Sequence, residues 1–215
     1  MKSAGNEGVS LDLPKNVRGH SNDQIFLQNL SDTDRDKLIL VGNLENGNAI
    51  AYDSNKPGSD PKIHDHFIWT LGSDVLSYVE SDKYDAKTGT SMAAPIVSGA
   101  AALVKGQFPG LSHKEVKECL LESARKDFLV EKDGKTTHIV APGKPVDLSK
   151  NEVPFNKHLW GKGILDVERA LEYAYIKTNH PELSSDRIRA ILDKRDEIKE
   201  KAAATKIQRA FRKKR

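Results

Sequence analysis

"GTSMAAPIVSGAAALV" occupies residues 89–104, and its reading decides how the rest of the chain is organised. A turn of small residues carries one hydroxyl, Ser91, and runs into a stretch where Ser98 is the only strongly polar residue between Met92 and Val104. A helix that is apolar almost all the way round has little solvent face and is expected in the middle of a fold. Ser and Thr routinely cap helices, so Gly89-Thr90-Ser91 taken alone reads as a capping turn. The other reading is a nucleophile. A serine at a helix N-terminus lies at the positive end of the macrodipole, beside unpaired backbone N–H groups that favour a developing oxyanion. Pro95 is expected to be tolerated as part of the first helical turn, which has no N–H bonds to lose.

Working outward, Gly106, Pro109 and Gly110 end this helix, and the next begins with a capping box, Ser112 with Glu115. Leu111 and Val116 flank that box as a hydrophobic staple, and the helix is expected to reach about Lys126. Upstream, "LILVGNL" (38–44) is a short continuous apolar run suited to a strand buried on both faces. Asn46-Gly47 marks a turn, "NAIAYD" (48–53) reads as a second short strand, and "HFIWTLG" and "VLSYV" suggest two more around Gly72. Residues 1–36 read as loop with "DQIFLQNL" as the one apolar cluster, and 127–158 as a loop-rich excursion with "THIVA" as its one strand candidate. "GKGILDVERALEYAY" gives a tight Gly turn and an amphipathic helix with Val167, Ala170, Leu171 and Ala174 on one face. Beyond Pro181, Ser184 or Ser185 can cap a last helix with Ile188, Ile191, Leu192, Ile198, Ala202, Ile207, Ala210 and Phe211 at spacings of three and four.

A chain of 215 residues can bury one respectable core with an appendage. The division expected is 1–178 as the body and 179–215 as a basic amphipathic helical tail. The net charge of +3 conceals an asymmetry, because residues 199–215 hold eight Lys or Arg against Glu200, a local +7 that leaves −4 on the rest. Basicity is a property of the tail, so the body gives no reason to expect nucleic-acid binding. The lone Cys119 excludes an intrachain disulfide and a cysteine zinc cluster, and its neighbours Val116, Leu120 and Leu121 make it a buried small hydrophobe. No apolar run approaches the roughly 18 residues needed to span a bilayer, and Met1 opens no signal peptide. The compartment expected by default is cytoplasmic.

The company of Ser91 separates the two readings of the opening stretch. Gly89, Thr90, Ser91, Met92, Ala93 and Pro95 together resemble the nucleophile motif of the subtilisin-like serine proteases, the subtilases (peptidase family S8). "SAGNEG" (3–8) resembles the segment that supplies the subtilase oxyanion asparagine, which the resemblance places at Asn6. "LILVGNLENGNAIAYDSN" (38–55) is similar to the family's strand and loop after that segment, and "WGKGILDVERAL" (160–171) to its closing Gly-rich turn and helix. The resemblance implies an α/β fold with part of a subtilisin-like parallel sheet around a buried central nucleophile helix. It also implies serine endopeptidase activity on a peptide or protein substrate through an acyl-enzyme, without cofactor or metal.

There are departures. Thr70, Leu71 and Gly72 stand where the family usually has Ala-Pro-Gly, and 127–158 is longer than a minimal member needs. The family's catalytic Asp and His lie in motifs upstream of the oxyanion segment, at which this sequence begins. His20, His64, His66, His113, His138, His158 and His180 all lack the family's His-Gly-Thr setting. Without a base Ser91 stays a protonated alcohol, and the chain alone is expected to be inactive, the missing pair coming from an absent segment or a separate chain. "HDH" (64–66) offers two metal-ligand types without a third, and an exposed polar loop is the expectation there.

The tail has its own pattern. In "AAATKIQRAFRKKR" (202–215), Ile207, Gln208 and Arg212 resemble the IQ motif that binds calmodulin or related EF-hand proteins, although Lys213 replaces the usual glycine. Ile207 and Phe211 lie one turn apart as anchors, and Arg209, Arg212, Lys213, Lys214 and Arg215 suit an acidic partner. A solvated basic helix end is the alternative.

Overall fold

The computed structural model describes residues 1–12, 21–80 and 82–212, with side chains except those of Ala204 and residues 206–212. Strand β1 (Lys2–Ser3) is followed by helices α1 (Asn22–Asn29) and α2 (Asp32–Arg35), then β2 (Leu40–Leu44), α3 (Pro61–His64) and β3 (Phe67–Leu71). The three strands form one parallel sheet in the order β1-β2-β3, with Lys2 opposite Leu40 and Leu40 opposite Phe67. β2 is buried along its whole length, as its unbroken apolar run predicts. Side chains of β2 and β3 alternate between two cores: Val41 and Ile68 face one, while Leu40, Leu44, Phe67 and Trp69 face the other. Gly42 makes room for that second layer, since a Cβ there would stand 2.7 Å from the Phe67 ring.

The strand expected at 48–53 does not form. Leu44 and Ile50 make only an isolated bridge, a 3-10 turn occupies Asn46–Asn48, and Ala51 N–H donates to the Asn43 carbonyl at 3.1 Å. The chain is folding back on the end of β2 rather than extending a sheet. A hairpin follows, β4 (Val75–Tyr78) antiparallel to β5 (Tyr84–Lys87), and leads into α4 (Thr90–Gln107). α5 (His113–Glu122) starts with the capping box expected: Ser112 N–H donates to the Glu115 carboxylate at 2.8 Å and Glu115 N–H to the Ser112 hydroxyl at 3.3 Å. It ends earlier than Lys126 because Arg125 is held in an antiparallel bridge to Ile164.

Residues 127–158 contain a sheet of their own, β6 (Phe128–Lys132), β7 (Lys135–Val140) and β8 (Glu152–Pro154), followed by α6 (Lys157–Trp160). Phe128 and Ile139 bury into the core that holds Trp69 and Trp160, so this excursion is more structured than its Gly and Pro content suggests. α7 (Val167–Asn179) and α8 (Ser185–Arg212) complete the chain. α4, α5 and α7 cover one face of the parallel sheet around Ala93, Val97, Val104, Leu120 and Tyr173. Ile188 and Leu192 enter the same core, so the first half of the last helix is packed on the body. Charge supports that packing. Arg169 on α7 is buried and donates to the Ser123 carbonyl and the Asp193 carboxylate, both at 2.9 Å, and pairs with Asp196. No helix among the described residues is long and apolar enough to cross a membrane.

Candidate active site

α4 starts without a cap of its own, because its N-cap is Gly89, held at φ 143° and lacking a side chain. Asn6, in the loop after β1, supplies the cap from a distant part of the chain. Its Oδ1 accepts from Thr90 N–H at 3.0 Å and from the Thr90 hydroxyl at 3.1 Å. The Thr90 oxygen in turn accepts from Gly5 N–H at 3.1 Å, and Thr90 is fully buried. With Oδ1 taken by two donors, the amide orientation of Asn6 is set and its Nδ2 protons remain available, for they meet no acceptor among the described residues. A Cβ on Gly89 would stand 3.3 Å from that Nδ2, so glycine leaves the space beside it clear.

Ser91 follows Thr90 in the first turn of α4 and is exposed, as Asn6 is. Its backbone N–H belongs to the donors that no helical carbonyl reaches. Pro95 lies past that first turn, contrary to expectation, and leaves the Ser91 carbonyl without its usual i+4 donor. The Thr70-Leu71-Gly72 departure keeps the close packing that matters locally. Gly89 N–H donates to the Gly72 carbonyl at 2.9 Å, and a Cβ on Gly72 would come within 2.8 Å of the Gly89 carbonyl.

No acceptor or base among the described residues engages the Ser91 hydroxyl, and His64, His66, His138, His158 and His180 are engaged elsewhere. His64 is buried at the end of α3, 3.0 Å from Asp65 through Nδ1 and stacked on His158. His66 is half-buried, with Nε2 3.2 Å from Asp36 and Nδ1 2.9 Å from Lys117 Nζ. The expectation of an exposed polar loop at 64–66 is therefore corrected: α3 buries His64 and the turn after it half-buries His66, leaving Asp65 exposed. Burial, then the Lys117 charge, push the His66 imidazole below its ordinary range, and burial lowers Lys117 as well. His138 lies between Asp127 at 2.5 Å and Glu152 at 3.6 Å, and His180 beside Glu182. His20 lies outside the described residues. No group of His, Cys, Asp and Glu among the described residues is placed to hold a metal.

Cys119 is fully buried, and burial first, with Glu118 adding, pushes its thiol up to about 12. A cleft of about 450 Å³ lies away from Ser91, between α8, the start of α7 and the segments 124–127 and 141–144, and the Arg125–Asp166, Lys144–Asp127 and Arg169–Asp196 pairs are among its lining. The tail residues Ile207, Gln208, Phe211 and Arg212 fall on the distal part of α8, where the backbone is helical but the side chains lie outside the described residues. Lys213, Lys214 and Arg215 lie outside them altogether. The motif singles out Ser91 and Asn6 but gives Thr90 no role of its own, and nothing in the sequence shows that its hydroxyl ties Asn6 to Gly5 at the head of α4.

A hydroxyl at the head of a helix, near a side-chain amide and an unpaired backbone N–H, has the chemistry to serve as the donor half of an acyl-transfer layout in an α/β domain. Residues 1–158 match the subtilase family, Peptidase S8, and the chain belongs to that family. Over 89 residues it is 36% identical to the halolysin-like extracellular serine protease Nep of Natrialba magadii, covering 41% of this chain and 15% of that protein. Over another 89-residue alignment it is 43% identical to subtilisin DY of Bacillus licheniformis, covering 41% of this chain and 30% of that one. The solved patellamide maturation protease PatA is similar at 22% identity and a TM-score of 0.49, over 80% of this chain and 50% of that chain. The matches thus span a minor part of the curated relatives and half of the solved chain.

Proposed function

We propose that the chain is the C-terminal part of a subtilisin-like serine endopeptidase domain, with Ser91 as nucleophile and Asn6 as oxyanion donor. The observation that carries this reading is the clasp at the head of α4, where Thr90 occupies Asn6 Oδ1 and Nδ2 is left beside Gly89 with no acceptor among the described residues. In this mechanism Ser91 Oγ forms a bond to the peptide carbonyl carbon while its proton passes to a histidine. The carbonyl oxygen, now an oxyanion, accepts from Asn6 Nδ2 and from Ser91 N–H. The C–N bond then breaks, the histidine returns the proton to the leaving amine, and water hydrolyses the acyl-serine by the same route.

The histidine and its aspartate come, in this reading, from subtilase sequence outside these 215 residues, on the same or a separate chain. The bare face of α4 supports that. Ser91, Pro95, Ile96, Gly99, Ala102 and Leu103 are exposed on a helix with no charge before Lys105. The test is peptide hydrolysis by the protein together with its Asp- and His-bearing segment. Ser91→Ala is expected to lower kcat by about 10⁶ and Asn6→Ala by about 10² to 10³ with KM little changed, as in a subtilisin. Full activity in Ser91→Ala would refute the reading.

A second reading concerns the tail. The helical backbone runs unbroken to Arg212, which suits an IQ-like helix of Ile207, Gln208, Phe211 and Arg212 engaging calmodulin or another EF-hand protein. Calmodulin capture that depends on Ca²⁺ and weakens in Ile207→Ala is the expected outcome. Capture indifferent to both would leave only a charged tail.

A further inference from the structure

The Asn6 side chain is held by Thr90, but the loop that presents it is held by something else. Residues 4–9 form a tight turn with positive φ at Gly5 (101°) and Gly8 (68°), and Asn6 and Glu7 at its tip are exposed. A loop of that kind, free of helix or strand, needs its backbone groups satisfied from outside. Asn55 does this with its whole amide. Its Oδ1 accepts from Glu7 N–H at 3.2 Å and Val9 N–H at 3.0 Å. Its Nδ2 donates to the Ala4 carbonyl at 2.9 Å and to Glu7 Oε2 at 2.6 Å. The two donors and two acceptor sites of one carboxamide are thus all spent on a single loop.

The rest of the residue points the same way. Asn55 is fully buried, and its own N–H donates to the Gly5 carbonyl at 3.0 Å. On either side of it, Gly8 N–H reaches the Asp53 carbonyl and Lys56 N–H the Val9 carbonyl. Asn55 is in turn tied to the sheet, because the Ser54 hydroxyl accepts from Asn43 N–H on β2 at 3.0 Å and donates to the Asn55 carbonyl at 3.3 Å. The residues bound to the Asn55 amide, Ala4 before Asn6 and Glu7 and Val9 after it, bracket Asn6 in sequence.

We propose that Asn55 is the positioning residue of the candidate oxyanion loop: its buried carboxamide fixes the backbone on both sides of Asn6, so that Thr90 can set the side chain and aim Nδ2 at Ser91. Aspartate at the same length loses both donors and sets a carboxylate against Glu7. Alanine leaves the buried Ala4 carbonyl and two N–H groups unpaired. The loop's place is a property of the fold, whereas its effect on rate rests on the proposed oxyanion role of Asn6.

Two measurements keep these apart. In the 215-residue chain, amide hydrogen exchange is followed at Gly5, Glu7, Gly8 and Val9, with β2 and α4 amides as internal references, for the wild type, Asn55→Ala and Asn55→Asp. The loop amides are expected to lose about tenfold or more of their protection while the references hold. Unchanged loop protection, or a loss shared equally by the references, overturns the proposal. Asn55→Asp, isosteric, serves if Asn55→Ala does not fold. In the protease assembled with its Asp- and His-bearing segment, Asn55→Asp is expected to lower kcat by about tenfold or more with KM within about twofold. It is expected to have almost no further effect in an Asn6→Ala background. Equal losses in both backgrounds would mean general damage and contradict positioning. If Asn6→Ala itself leaves the rate unchanged, the oxyanion reading fails while the exchange result still decides the role of Asn55 in the loop.

Discussion

The two faces of α4 have the same kind of sequence and opposite surroundings. Thr90, Ala93, Val97, Ala100 and Val104 line one face and are buried against the sheet, α5 and α7. Ile96 and Leu103 on the other are 36% and 54% exposed, and a Cβ on Gly99 or Gly106 would meet nothing within 4 Å. α5, by contrast, keeps its buried side to Val116, Cys119, Leu120 and Leu121 and turns charge outward. An amphipathic helix needs one partner surface, and a helix apolar all round needs two. In α4 only the first partner lies within the described residues, and Ser91 stands at the head of the exposed side.

Substitutions on the two faces sharpen this contrast. Val97→Ala, at a fully buried site, is expected to destabilise the chain by about 2 kcal/mol in urea unfolding. Leu103→Ala is expected to stay within about 0.5 kcal/mol. Large and equal effects at both positions would mean that the bare face is already packed. Arg169→Met tests whether α8 belongs to the body. It removes a buried guanidinium from Asp193, Asp196 and the Ser123 carbonyl, and is expected to lower stability by about 1 to 3 kcal/mol and expose the amides around Ile188.

The smallest effect expected is pH-dependent. The folded-state pKa of His66 is depressed, so the unfolded chain binds the proton first on acidification. His66 therefore contributes stability that is present above its ordinary value near 6.5 and is lost as pH falls below it. His66→Gln is expected to flatten the dependence of Tm on pH between about 6.5 and 5, and an unchanged slope would contradict this.

Much of this was legible from the residues. The hydroxyl at the head of α4, the Ser112 capping box and the buried run of β2 all follow from local patterns of side-chain type. The strand expected at "NAIAYD" failed because alternation cannot tell a sheet strand from a segment that crosses back under a strand end to hold a loop. "THIVA" marks most of β7, whereas β6 has its signal only in Asp133-Gly134, which turn the hairpin with φ of 50° and 71° and are masked by the Gly and Pro residues that follow. The burial of His64 and the roles of Thr90 and Asn55 were not legible. Each depends on contacts across the fold, and a buried asparagine reads in sequence like any turn residue.

The most direct test of the central claim is labelling of Ser91 by a fluorophosphonate probe, first in the 215-residue chain and then with the Asp- and His-bearing subtilase segment present. The account predicts almost no labelling of the chain alone and strong labelling after addition, abolished by Ser91→Ala. Equally strong labelling of the chain alone, lost in Ser91→Ala, would show that these residues already contain the base and would contradict it.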